Sequence, residues 1–523
     1  MSEAYKLWIN GEEREGRGEL IDVEDPSTGE IFAQSHTAST EDVDEAVQAC
    51  QAAYESGVWS RAPRQQRADV LERCATELTG ALAPLIALEV QQTGRAMAEM
   101  QAQVPSLVRW FRYYAALLRT EEQPVLPTSG KLHNFVTRAP LGVVVQITSF
   151  NHPLLIAVKK LAPALAAGNS VIVKPSELTP LTTLLLGRLL QRAGLPDGVL
   201  AVLPGLGVTT GASLAAHPLV RKVDVTGGTT AGRAIGRLVG QNLARYTAEL
   251  GGKAPLLVFA DADVHAAVNG IAFASFVASG QTCVASTRIL VANSILDSLL
   301  VRLAAKVASI TRRIGRPANP ASAMGPLISA RQLARVESLV DDALASGLAV
   351  PLDTGETTAC RMRGPSSLDG ADLGLGYYYA PTVLLSTDRA ANSITRTTLW
   401  REEAFGPVIV VVGFDSEDQA IALANDSPYG LGAAVWTTDL ARAMRVTDRI
   451  DAGITWVNTH HRNDPSSPWG GAKKDSGVGS ENGVDAYHAY TTMKSTVINF
   501  ASTEEALATE DWFGEKAAPV RYG

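Results

Sequence analysis

From Leu141 onward, short β-branched runs alternate with longer stretches whose apolar residues recur every three or four positions. That alternation limits the possible folds more than any other feature of the chain. The strand-like runs are Gly142 to Ile147, Ser170 to Val173, Val199 to Leu203, Lys222 to Val225 and Pro255 to Phe259. Between them lie helical patterns at Leu154 to Ala167, Pro180 to Ala193, Ala212 to Ala216 and Thr230 to Leu243. Strands joined through helices imply a mostly parallel, doubly wound α/β sheet. Thr179-Pro180 sets a capping residue before a helix-opening proline, and Gly194 closes that segment, so this helix is the best bounded.

A second alternation follows Gly280, with strands expected at Arg288 to Ala292, Val408 to Phe414 and Ala433 to Trp436 and helices around Leu296 to Ile310 and Ala330 to Ser346. A second α/β domain fits 523 residues, since about 150 residues make an ordinary domain. Thr40 to Thr120 reads as helical, Glu121 to Leu132 as a polar excursion carrying Pro124 and Pro127, and Pro351 to Gly376 as a surface loop or insertion. With 46% hydrophobic and 19% charged residues the chain is expected to fold. Its net charge of −8 offers no broad positive field for nucleic acid or anionic lipid. The four cysteines form no CxxC pair or Cys/His cluster, so neither a bound metal nor a disulfide framework is expected. No apolar run reaches the ~18 residues of a membrane helix and the start carries no apolar leader, which makes cytoplasm the expected location.

Cys283 lies in the small-residue segment Gly280-Gln-Thr-Cys-Val-Ala-Ser286. A lone cysteine there is ordinarily an inert core residue, but the small neighbours leave room for a ligand whose carbonyl carbon a thiolate could attack. Glu249 ends a strand-like run before Gly251-Gly252-Lys253. A strand-end glutamate is ordinarily solvated, yet one withdrawn from water would have a raised pKa and serve as a base near neutral pH. Three glycine-rich turns compete for phosphate: Pro204 to Gly211, Thr226 to Gly232, and Gly168-Asn169. None is a strict dinucleotide fingerprint or a P-loop. In the second, Gly227, Thr229 and Gly232 open a helix whose amides would face an anion. Lys174 and Glu177 follow another strand end. Glu177 there would accept bonds from ribose hydroxyls and repel a 2′-phosphate, favouring NAD over NADP.

With these residues in place, the sequence strongly resembles the aldehyde dehydrogenase superfamily, in its non-phosphorylating, hydrolytic branch. The resemblance rests on Ser149-Phe-Asn-His-Pro153, Lys174-Pro-Ser-Glu177, Thr226-Gly-Gly-Thr229, Glu249-Leu-Gly-Gly-Lys253, Gly280-Gln-Thr-Cys283, Glu403-Ala-Phe-Gly-Pro407 and Pro468-Trp-Gly-Gly471, in family order. It implies an α/β fold in three parts: a Rossmann-type NAD-binding domain (1–120 and 141–252), a catalytic domain (253–470) and a small bridging β element for oligomerisation (121–140 and 484–501). Residues 502–523 form a C-terminal extension. By the same resemblance Cys283 is the nucleophile, Glu249 the base that activates deacylating water, Asn151 the oxyanion donor and Lys160 a support for proton movement. Lys174, Glu177, Gly227, Thr229, Gly232, Leu250, Glu403 and Phe405 then hold the cofactor, NAD rather than NADP. The implied activity is oxidation of an aldehyde to its acid through a thiohemiacetal and thioester on Cys283.

Where members acting on simple aldehydes carry aromatic or apolar substrate residues, this chain has His152, Lys159, His461 and Asn463. The rest of that set is Leu155, Ile156, Val277, Thr282, Val284 and Trp469, with Arg462 adjacent. A polar tunnel and a polar or carboxylate-bearing substrate are expected, unless Lys159 and Arg462 turn outward to water. Phe150 stands where Trp is common. The tail, with acidic residues over 503–511, then Trp512-Phe513 and Arg521, is expected either to fray or to dock near a neighbouring subunit of a dimer or tetramer. Two rival readings are a CoA-acylating semialdehyde dehydrogenase, which typically lacks a glutamate at the Glu249 position, and a non-catalytic homologue that keeps only the fold.

Overall fold

Four of the β-branched runs and the strand that ends at Glu249 assemble side by side in the computed structural model, which describes residues 4–471 and 473–515, the side chains of Lys474, Thr509 and Glu510 excepted; the run from Pro255 belongs to a second sheet instead. Across the first sheet the strands lie in the order Arg245–Glu249, Val220–Thr226, Val143–Ile147, Ser170–Lys174, Leu200–Val202, all parallel. The chain enters at the middle strand, builds outward to one side, then returns to build on the other, so the strand order reverses between Val143–Ile147 and Val220–Thr226. Helices cover both faces of this sheet. Pro153–Ala167 and Leu181–Arg192 pack on one, Thr40–Ser56 and Thr229–Gln241 on the other. Antiparallel edges close it, Leu7–Ile9 with Glu12–Arg14 on one side and Gly477–Val478 on the other.

Among the described residues a second sheet of seven strands runs Ala349–Pro351, Thr382–Ser386, Val408–Phe414, Ser286–Ala292, Ala254–Val258, Gly432–Trp436, Ile454–Val457. Its central strands are buried throughout, as a parallel sheet covered by helices on both faces requires. Gly251 to Lys253 joins the two sheets, so Glu249 lies at the seam. A third sheet pairs Thr491–Asn499 antiparallel with Leu132–Pro140, which also carries Val125–Leu126. The excursion expected from the sequence is therefore a strand-forming arm.

Several local expectations change. Thr179 caps nothing: its hydroxyl is buried without a partner, and the helix begins at Leu181, whose N–H donates to the Gln92 side chain at 3.1 Å. A side chain 89 positions away has taken over the capping role. Gly194 does turn the chain, at φ +95°. Pro351 to Gly376 has almost no regular structure but is more than surface loop, because Met362 and Leu373 are buried in the second core and the Ser366 hydroxyl bonds Ile314 O at 2.6 Å. The tail forms a helix, Thr503–Glu510, opened by a reciprocal Ser502–Glu505 capping box and tied to the third sheet by Lys131–Glu505 at 2.6 Å. Phe513 is fully exposed, and Arg521 lies outside the described residues. No helix among the described residues is long and apolar enough to cross a membrane.

Candidate active site

Open α/β sheets bind ligands in the crevice beyond the carboxyl ends of their strands, where the strand order reverses. Here that crevice opens after Ile147 and Thr226 and widens into a cavity of about 2000 Å³ reaching the second sheet. Its wall includes Asn151, Glu249 and Cys283 together with Glu403 and Phe405, so groups far apart in sequence face one space.

Cys283 sits in the loop between the helix Val264–Phe276 and the strand Ser286–Ala292. Three consecutive left-handed residues, Ala278, Ser279 and Gly280 at φ 54°, 56° and 72°, set this loop's path. For the two non-glycine residues that conformation costs about 1–3 kcal/mol each. It is held by Ser279 Oγ on Gly325 O at 2.7 Å and by the Gln281 side chain, which donates to Ala278 O at 3.2 Å and accepts from Ile328 N at 3.0 Å. Glu99 accepts the Ala278 N–H at 3.0 Å. Burial, then the charges of Glu403 and Glu249, push the Cys283 thiol up to about 12, so it rests protonated.

Asn151 follows the strand Val143–Ile147 and has its amide polarity set by neighbours. Its Oδ1 accepts from Ser149 Oγ at 2.8 Å, and its Nδ2 donates to Gln281 O at 2.8 Å, leaving one N–H free next to the Cys283 loop.

Glu249 ends a strand held between Thr226 and Gly477. It is only 2% exposed, and neither carboxyl oxygen has a hydrogen-bond partner. Burial, reinforced by the negative charge of Glu481, holds its pKa well above the usual carboxylate range, with Lys159 and Lys160 pulling the other way. Those lysines are committed elsewhere: Lys159 Nζ lies 2.7 Å from Glu481, and Lys160 bonds both Glu481 and Asp224. Although burial works against its charge, Glu481 is drawn down to about 2 by the two lysines. Burial likewise opposes the charge on Lys160, but its two carboxylates outweigh it and keep the amine protonated.

Of the residues expected to hold a cofactor, Lys174, Glu177, Gly227, Thr229 and Leu250 line the crevice. Lys174 and Glu177 pair at 3.5 Å. The helix Thr229–Gln241 starts at Gly227-Gly228 without a side-chain cap, and a methyl group added at Gly228 would meet nothing within 4 Å. Its first amides therefore face open space, a ready anion site. The Thr229 hydroxyl is turned away onto Asp475 O at 2.8 Å, which leaves its backbone to face the crevice. Gly232 is not on the wall. It is buried under Leu250, where a Cβ would collide, and its carbonyl accepts Tyr246 Oη at 2.6 Å, so this glycine serves helix-to-strand packing. Asn169, in the third candidate turn, is structural too: its Oδ1 takes Leu141 N and Gly142 N at 2.7 and 3.1 Å. Glu403 receives the Gly252 N–H at 2.9 Å, and burial pushes it up to about 7; Phe405 stacks edge-on against Phe150 at 5.7 Å.

Of the substrate set, His152, Leu155, Ile156 and Lys159 line the cavity from the oxyanion side, Val277, Thr282 and Val284 from the thiol loop, and His461, Asn463 and Trp469 from the segment after Ile454–Val457. Lys159 does not turn outward: it is 4% exposed and lies 4.4 Å over the Trp469 ring. Arg462 is exposed. Lys160 is fully buried behind the wall. Sequence reasoning missed Glu481, Arg95, Glu99 and Gln103, all of which reach the cavity. Glu481 stands in Gly479-Ser-Glu-Asn482 with no motif to mark it.

A strand-order reversal with open helix amides, facing a half-buried thiol, a polarised amide and an unpartnered carboxylate, is the arrangement of an α/β oxidoreductase with room for an anionic cofactor. The chain belongs to the aldehyde dehydrogenase family, whose sequence pattern matches residues 12–496. It is 37% identical over 492 residues to (Z)-2-((N-methylformamido)methylene)-5-hydroxybutyrolactone dehydrogenase of Acinetobacter baylyi, covering 94% of this chain and 96% of that one. Among solved structures it resembles PnpE from Pseudomonas sp. WBC-3 (37% identity, 96% and 99% coverage, TM-score 0.88). It also resembles betaine aldehyde dehydrogenase from Staphylococcus aureus in complex with NAD+ (33% identity, 98% and 97% coverage, TM-score 0.89).

Proposed function

We propose that this enzyme oxidises an aldehyde to its carboxylic acid with NAD, using Cys283 as nucleophile and Glu249 as the base for hydrolysis. The observation that carries this reading is the buried Glu249 carboxyl, both oxygens unpartnered, in the same cavity as the Cys283 thiol. A buried polar group without a partner costs about 1–3 kcal/mol, a burden that suits a group whose partner is a transient water.

The uncapped Gly227–Gly228 helix start fits a pyrophosphate, Lys174 and Glu177 fit a ribose, and Glu403 with Phe405 fits the nicotinamide end. When bound, NAD supplies the hydride acceptor and a cationic ring. The chain's own work begins as Cys283 Sγ gives its proton to water in the cavity and bonds the aldehyde carbon, whose C=O electron pair moves onto oxygen. The resulting alkoxide is met by the free Asn151 N–H and the Cys283 backbone N–H, each such donor being worth about 3 kcal/mol. After oxidation a thioester remains on Cys283. Glu249 then removes a proton from water, the hydroxide oxygen bonds the thioester carbon, and the C–S bond breaks to release the acid and the thiol. Glu481, Lys160 and Asp224 form a bonded chain behind Glu249 whose charges act on its carboxyl without a hydrogen bond to it.

Retention of the glutamate favours hydrolysis over transfer to CoA, and the assembled Cys283, Asn151 and Glu249 favour catalysis over a purely structural role. Exposed Met493 and Val497 on the strand Thr491–Asn499 support assembly with further copies of the chain. Stopped-flow NADH absorbance tests the proposal. Cys283→Ala should give no NADH, whereas Glu249→Gln should give one equivalent per site and then stall. An undiminished steady rate in Glu249→Gln would remove Glu249 from its role.

A further inference from the structure

In the part of the cavity beyond the reacting thiol, the polarity of two neutral side chains is fixed, directly or through one amide, by groups that can only donate. Arg95 is 4% exposed and pairs with Glu99 at 2.9 Å. Its Nη1 contacts His152 Nδ1 at 2.5 Å, and Gln103 Nε2 lies 3.1 Å from the same atom. A guanidinium has no acceptor, so His152 Nδ1 must accept, and the ring proton must sit on Nε2. That Nε2–H has no partner among the described residues, and His152 lines the cavity.

The second case is independent. The indole N–H of Trp110 donates to Asn482 Oδ1 at 2.9 Å, which turns Asn482 Nδ2 toward Asn463 Oδ1 at 2.8 Å. Indole is donor-only, so the orientation passes along the chain, and Asn463 is left showing its NH₂ to the cavity. His461 adds no N–H, because its Nε2 is spent on Ala274 O at 3.3 Å.

The charges around these donors cancel. Arg95 faces Glu99, Lys159 faces Glu481, and Arg109 faces Asp464. The exposed Arg462 donates to Thr459 Oγ1 at 3.1 Å and is screened by water.

Resting on the aldehyde oxidation proposed above, we infer that His152 and Asn463 form a neutral donor wall selecting aldehydes that carry an uncharged carbonyl acceptor, such as an amide or lactone, with Arg95 as the positioning residue that fixes the wall's polarity. An alkyl aldehyde leaves both donors unpartnered, and a site built to hydrogen-bond rejects analogues that cannot. A carboxylate gains nothing over a neutral carbonyl here, since each inner cation is already paired with a carboxylate.

The test compares three aldehydes of matched length bearing an alkyl, amide or carboxylate end. In the wild type, kcat/KM should favour the amide over the alkyl aldehyde by at least ten-fold, with the carboxylate no better than the amide. His152→Phe and Asn463→Leu, made separately, should each shrink the amide-to-alkyl ratio several-fold. The matched primary alcohols, titrated by calorimetry, should repeat the ranking without turnover. If the alcohols rank so while no aldehyde is oxidised, the proposed function fails and this inference stands. Histidine-selective 1H–15N spectra should give His152 the neutral Nε2–H form at pH 7, and Arg95→Met should release it to a mixture of tautomers. An alkyl preference, a carboxylate preferred ten-fold over the amide, or an Nδ1–H form of His152 in the wild type would each overturn the inference.

Discussion

Glu481 takes both Lys159 and Lys160, and Glu249 in the same buried neighbourhood takes neither. One carboxylate is therefore held near 2 while the other is held well above its usual range. Two like groups pushed apart by their surroundings are the signature of an acid and a base with separate tasks.

The pair is separable by mutation. Glu481→Gln removes a negative charge beside Glu249 and frees Lys159 toward it, while Lys160 keeps Asp224; both changes lower the Glu249 pKa. A raised pKa means the base is protonated and idle at low pH, so lowering it should extend hydrolysis to more acidic pH. The weaker base should reduce the plateau rate, by up to about ten-fold. A pH profile of the steady-state rate checks this, and an acid limb that stays in place or moves to higher pH would contradict the coupling.

Asn151 contributes to the developing alkoxide, whose charge exists only along the reaction path. Asn151→Ala should therefore lower kcat about 10²–10³-fold while leaving the dissociation constant for NAD, measured by fluorescence quenching, nearly unchanged. A comparable loss of NAD affinity would mean that the side chain supports the fold of the crevice instead.

How much of this was legible in the sequence follows the range of the interactions. The parallel sheet was readable because β-branched runs such as Ser170 to Val173 and helical spacing such as Leu154 to Ala167 are local patterns. Cys283, Glu249 and Asn151 were readable because each stands in a short motif with recognisable neighbours. Glu481 was not, since its role comes from lysines 321 and 322 positions earlier. The cap at Leu181 was misassigned for the same reason: Thr179 has the right chemistry at the right spacing, yet Gln92 arrives through the fold. Gly232 shows the converse, where a glycine inside a phosphate-like turn is needed for the close approach of Leu250. The strands Leu7–Ile9 and Glu12–Arg14 were missed because they are three residues each, too short to show a period.

Glu177 lies beside Lys174, half-open to the crevice. Its carboxylate would repel the 2′-phosphate of NADP and neutralises Lys174, a nearby cation that could attract it. Glu177→Ala removes the repulsion and frees Lys174. The ratio of kcat/KM for NADP over NAD should rise at least ten-fold, a change of about 1.4 kcal/mol. An unchanged ratio would place cofactor choice elsewhere.

The unpartnered Glu249 also makes a prediction about stability. A carboxyl whose folded pKa is raised binds its proton more tightly in the folded than in the unfolded state. Its contribution is fully present below about 4.5, the unfolded value, and is lost as pH climbs through the folded pKa. Glu249→Gln cannot ionise, so it escapes that loss. The variant should unfold at nearly the same temperature as the wild type at pH 4.5 and at a higher one, by a few °C, at pH 8. Scanning calorimetry at the two pH values measures the difference. A variant less stable than the wild type at pH 8 would show that the carboxylate finds a stabilising partner at neutral pH, and would withdraw the orphaned charge on which the base assignment depends.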